Sequence, residues 1–199
     1  MGSTHEFTLG EEIANAITHG IGMVLSIAGL VILIVNASLF GTPWHIVSFT
    51  LFGVTMVLLY TSSTLVHSLP KGRAKNIFEI LDHSSIYFFI AGSYTPPFLF
   101  IIVKGWEGWT LFGVIWGGLA IGGTVFKVFF VKKFLMISTL LYVLMGWLIV
   151  FVWPPLVNNL HPNGLMLLII GGVLYTVGGL SSMFGEASNT IMQFGIYLY

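Results

Sequence analysis

A helix that crosses a bilayer needs about 20 mainly apolar residues. Windows of that size recur along this chain at 14–36, 43–67, 79–103, 108–130, 134–153 and 163–182, which makes six candidate spans. The stretches between them carry the breakers: "NASLFGTP", "SLPKGRAKN", "VKGWEG", "VKK" and "WPPLVNNLHPNG". Connections this short make antiparallel neighbours, so the expected fold is an all-α integral membrane protein, an up-down helical bundle. The apolar runs are continuous rather than alternating, which argues against a membrane β-barrel. Charge gives the same answer. Only 7% of the residues are charged and 56% are hydrophobic, whereas a soluble globular chain carries about 25% charged residues. That leaves too little polar surface to cover a water-soluble globule.

The 7 Lys and Arg balance the 7 Asp and Glu, so no basic surplus points to nucleic acid. There are no cysteines, which excludes disulfides, thiolate zinc sites and thiol nucleophiles. The start, "MGSTHEFTLGEEIANAITHG", carries three glutamates and no basic leader, so it does not read as a cleavable signal peptide. Orientation follows from the cations. Lys71, Arg73 and Lys75 lie between spans two and three, and Lys127, Lys132 and Lys133 between spans four and five. Only Lys104 falls on the opposite side. Loops rich in Lys and Arg stay in the cytoplasm, which predicts a multi-pass membrane protein with a cytoplasmic N-terminus. Trp44, Trp106, Trp109 and Trp153 then mark the other interface. Gly113, Gly117, Gly118 and Gly122 sit near four-residue spacing, where small residues let helix backbones approach. Bundle packing is the expected use of that ridge, and pore lining the alternative.

Against this background the polar residues at membrane depth stand out. Glu12, Asn15 and His19 recur at i, i+3 and i+7 and share one helix face. Ser63 and His67, at i and i+4, end span two on one face. Asp82 and Ser85 open span three, with His83 beside them. With the orientation above, all three groups reach the same cytoplasmic level. Each has a plain structural reading: acidic residues near a helix start, a serine bonded back to its own helix, a histidine reaching the interface. Together they point to a shared site, because ionisable groups in spans are costly and face the bundle interior. Two chemistries suit such a set. One is a hydrolytic metal centre, with His67 as ligand and Asp82 and Ser63 around the bound water. The other is a proton or ion path. His67 is the one well-placed ligand, and His19 and His83 have no diagnostic spacing.

The segments "EEIANAITHG", "SSTLVH" and "EILDHSSIYFFIAGSYTP" resemble the signature segments of the hemolysin III family, which is grouped with the progestin and adipoQ receptors, adiponectin receptors among them. The resemblance covers about residues 6–180. It implies seven transmembrane helices and a zinc ion near the cytoplasmic face, held by three histidines. His67 would be one ligand, with Ser63 and Asp82 as its partners or water contacts. The other two would come from an H-x-x-x-H pair on helix seven. The family is also grouped with membrane hydrolases such as alkaline ceramidases, and its name reflects cytolysis described as pore formation.

The chain departs from that pattern at its end. Residues 1–182 carry the resemblance, and 183–199 form a divergent tail without histidine, so two of the three zinc ligands are missing. One permitted back-translation of residues 181–199, read two bases on, gives FYVWGSVEYHHAIWHLFV, which contains the H-x-x-x-H pair. A frameshift that replaced helix seven is therefore the expectation, and resequencing codons 178–190 tests it. A destabilised or poorly inserted product would follow. Three functions remain in order: cytolysis of the hemolysin III type; a zinc-dependent lipid amide hydrolase working at the cytoplasmic leaflet; and, by fold analogy, a sensor of membrane state. The expected partner in each case is membrane lipid, as target or substrate.

Overall fold

A computed structural model of the protein describes residues 8–95, 105–125 and 135–184, the side chains of 135–138 and 182–184 excepted. Regular structure among the described residues is helical throughout. In chain order it comprises α1 (Leu9–Phe40), α2 (Pro43–Ser68), α3 (Arg73–Tyr94) and α4 (Trp106–Phe112), which continues as a π-helix over Gly113–Ile121. Then come α5 (Leu135–Trp147), a 3₁₀ segment (Leu148–Val152), α6 (Trp153–Asn159) and α7 (Pro162–Phe184).

Local chemistry sets the boundaries. Thr8 opens α1 with a capping box: Glu11 N–H donates to Thr8 Oγ1 at 3.3 Å, and Thr8 N–H donates to Glu11 Oε2 at 2.7 Å. Gly41 and Thr42 turn the chain, and Pro43 starts α2 at a position where its missing N–H costs nothing. Pro70 and Gly72 separate α2 from α3.

Five segments are long and apolar enough to cross a membrane: Leu9–Phe40, Pro43–Ser68, Trp106–Val125, Thr139–Asn159 and Pro162–Ser181. The protein is a multi-pass membrane protein. The expected span 79–103 corresponds to α3 as far as Tyr94, and 96–103 lie outside the described residues. Arg73, Lys75, Glu79 and Asp82 make α3 too polar to qualify on composition. Packing accounts for that. Tyr87, Ile90, Ala91 and Tyr94 of α3 are all buried in one core with Ile115, Ala120, Tyr142 and Met145. Helix α3 is thus the enclosed one. Helix α1, by contrast, leaves Ile17, Val24, Leu25, Val31 and Ile32 exposed, the pattern of a lipid-facing surface.

Two expectations are corrected. The fifth span does not stop at Trp153 but runs to Asn159. Pro154 and Pro155 sit in the first turn of α6, where proline is tolerated, so the break falls in the 3₁₀ turn before them. Tyr94 bridges that break. Its hydroxyl lies 2.8 Å from Met145 O and 2.6 Å from Gly146 O, to which it donates, and it accepts from Ile149 N–H at 2.9 Å. The glycine ridge of the fourth span is the second correction. A Cβ built at Gly113, Gly117, Gly118 or Gly122 meets nothing within 4 Å among the described residues. Close approach occurs at Gly123 of the same span, against the Tyr87 ring, and in other helices at Gly92 against Thr55, Gly53 against Leu30 and Gly146 against the Tyr175 ring.

Candidate functional site

The site is built where α1, the end of α2 and the start of α3 meet. Glu12 stands one turn into α1, His67 in the last turn of α2 and Lys75 in the first turn of α3. The Glu12 carboxylate serves both side chains. His67 Nδ1–H donates to Glu12 Oε2 at 2.7 Å, and Lys75 Nζ donates to Glu12 Oε1 at 2.6 Å. The His67 side chain is 12% exposed and Glu12 and Lys75 22% each, so the group sits at a rim rather than in open water. A carboxylate can only accept, so the bond itself places a proton on Nδ1 of His67. His19, two turns along α1 from Glu12, stacks on the same imidazole with centroids 5.8 Å apart and planes at 9°. Its other ring neighbour is Tyr60 at 6.3 Å.

The remaining expected residues surround this rim or lie deeper. Asn15 is buried, as is Ser63, one turn before His67. Ser62 and Thr64 each donate to carbonyls of their own helix. Ser62 also meets Ser85 across the α2–α3 contact at 3.2 Å. Ser85 Oγ donates to the Asp82 carbonyl at 2.7 Å. Asp82 and His83 are half-buried on α3. Tyr142 of α5 donates to the His83 carbonyl at 2.9 Å, with the Asp82 carboxylate within electrostatic reach of its hydroxyl. Its ring packs on Tyr87, centroids 4.4 Å apart.

The structure brings Glu12, His19 and His67 together across the α1–α2 contact. Two participants were missed in the sequence. Lys75 reads there as a loop cation, although its i, i+7 relation to Asp82 puts both on one face of α3. Tyr142 carries a polar handle in an otherwise apolar span, which is the signal that marks it.

The zinc implied by the resemblance needs three ligands. Among the described residues no three His, Asp or Glu side chains are placed to hold a metal ion. The expected helix-seven ligands fall on a tail that has no histidine and lies, from residue 185 on, outside the described residues. Among the described residues the donor set does not make up a three-histidine centre.

A family model described as "Haemolysin-III related" matches residues 7–185. The chain is 56% identical over 172 residues to a "Hemolysin-3 homolog" of Bacillus subtilis (strain 168), covering 86% of this chain and 80% of that one. It is 55% identical over 170 residues to a "Hemolysin-3" of Bacillus cereus, covering 85% and 77%. A human protein named "Monocyte to macrophage differentiation factor" is 29% identical over 176 residues, covering 86% and 71%. No solved structure matches. With the family match running through every described helix and a polar rim built from its first three, this multi-pass membrane protein belongs to the haemolysin III family.

Proposed function

We propose that the protein acts on membrane lipid at the rim where α1, α2 and α3 meet, as a hydrolase of a lipid amide or ester with His67 as its acid–base centre. The observation that carries this reading is the 2.7 Å bond between His67 and Glu12. An imidazole steadied by a carboxylate is the arrangement of a general base. Ser63, on the same helix one turn away, offers a hydroxyl for a substrate carbonyl. Lys71, Arg73 and Lys75 follow α2 directly and argue for the cytoplasmic leaflet of a bacterial plasma membrane. The ester or amide bond of an amphipathic lipid lies at that depth. The test is turnover of a fluorescent lipid amide and a phospholipid ester by the purified protein in vesicles. The expected result is turnover of one class, reduced about 10–100-fold in His67→Gln. Turnover of neither class, or a His67→Gln variant as active as wild type, would sink this reading.

The name of the Bacillus cereus relative favours a second reading, cytolysis. Glu12, His67 and Lys75 occupy one rim rather than a path across the bilayer, so permeabilisation by this route requires several copies. The exposed apolar faces of α1 and α7 are where they would meet. Dye release rising steeply with protein-to-lipid ratio supports it; intact vesicles across the whole range count against it.

A further inference from the structure

We propose that Glu12 is a positioning residue for His67: anchored by Lys75, its carboxylate holds the proton on Nδ1 and leaves Nε2 as the ring's basic nitrogen. The proposal deepens the hydrolytic reading above and rests on it for its functional meaning. Three observations carry it. Each Glu12 oxygen has its own partner, Oε2 taking His67 Nδ1–H and Oε1 taking Lys75 Nζ. The carboxylate is therefore held from two directions and cannot turn away from the imidazole without losing a charge-assisted bond. The three residues come from three different helices, so the arrangement is fixed by the bundle rather than by one flexible segment. His19 lies nearly parallel to the His67 ring, at 9° with centroids 5.8 Å apart, on the α1 face that also carries Glu12. A neutral imidazole carries one N–H, and committing that proton to Nδ1 settles the role of the other nitrogen.

The plain reading of Glu12 in the sequence is a helix start, where a carboxylate is at home without any partner. In the structure Glu11 fills the capping role at Thr8, and Glu12 is left for the contact between helices. Two adjacent glutamates thus do different things.

The test is solid-state NMR of the full-length protein, labelled with ¹⁵N-histidine, in phosphatidylethanolamine–phosphatidylglycerol bilayers at about pH 8, above the usual imidazole range. His67→Gln identifies the signal. The expected wild-type spectrum has His67 as the Nδ1–H tautomer. In Glu12→Gln the ratio of Nδ1–H to Nε2–H falls about tenfold, the size expected from losing one charge-assisted bond. Lys75→Met, which leaves both Glu12 and His67 in place, shifts the ratio in the same direction, and Lys75→Arg restores it. If Glu12→Gln does not insert, the Lys75 pair carries the test. A wild-type His67 in the Nε2–H form, or a ratio unmoved in both Glu12→Gln and Lys75→Met, overturns the proposal. Lipid turnover on the same samples separates the two claims. The expected tautomer without turnover removes the hydrolytic reading, and turnover with an unmoved tautomer removes only the positioning role.

Discussion

Glu12 joins three helices through one carboxylate. Glu12→Gln removes the charge that both His67 and Lys75 face. The group is partly exposed, so the expected loss is about 1–2 kcal/mol rather than that of a fully buried pair. Thermal unfolding in detergent checks this. Tyr94→Phe is the second residue-scale prediction. It leaves two carbonyls and an N–H at the helix break without their shared hydroxyl, in a setting with no water to replace it. A loss of about 2–3 kcal/mol is expected from the same melting assay. The Glu12–His67 meeting was half legible in the sequence. Both residues are polar at membrane depth, and both fall on predictable helix faces. Their pairing depends on how α1 crosses α2, which side-chain periodicity does not encode. Lys75 was less legible still, because a cation after proline and glycine reads as loop until α3 is seen to begin at Arg73.

At the scale of elements, the contrast between two glycines tests the packing. A Cβ at Gly92 would run into the Thr55 hydroxyl across the α2–α3 contact, so Gly92→Ala is expected to cost about 1–3 kcal/mol, with partial rescue by Thr55→Ala. Gly117 faces nothing within 4 Å among the described residues, so Gly117→Ala is expected to be neutral or slightly stabilising. Melting temperatures of the three variants check both statements. Spacing shows that small residues share a face, not what that face meets: in the fourth span Gly123 packs on Tyr87, while Gly113, Gly117, Gly118 and Gly122 meet nothing within 4 Å among the described residues. It located the helices well: residues 43–67 became Pro43–Ser68, and 163–182 became Pro162–Phe184. It misjudged the fifth span because a double proline signals a stop only inside a helix. At a first turn it signals a start.

At the scale of the whole molecule, the bundle is organised around its most polar helix. Helix α3 carries Arg73, Lys75, Glu79 and Asp82, yet its second half holds the main core. Its neighbours shelter it from lipid. Charges gather at one end with Glu12 and His67, while Trp44 and Trp109 meet at the other, ring centroids 6.2 Å apart. The molecule therefore has a polar rim and an aromatic rim, and the proposed chemistry belongs to the first. Lipid turnover by wild type, His67→Gln and Glu12→Gln, reconstituted side by side at equal inserted amounts, probes that claim most directly. The expected result is measurable wild-type turnover, lowered about 10–100-fold in His67→Gln and by at least about tenfold in Glu12→Gln. Wild-type rates in both variants would contradict it, and would move the working part of the protein away from this rim.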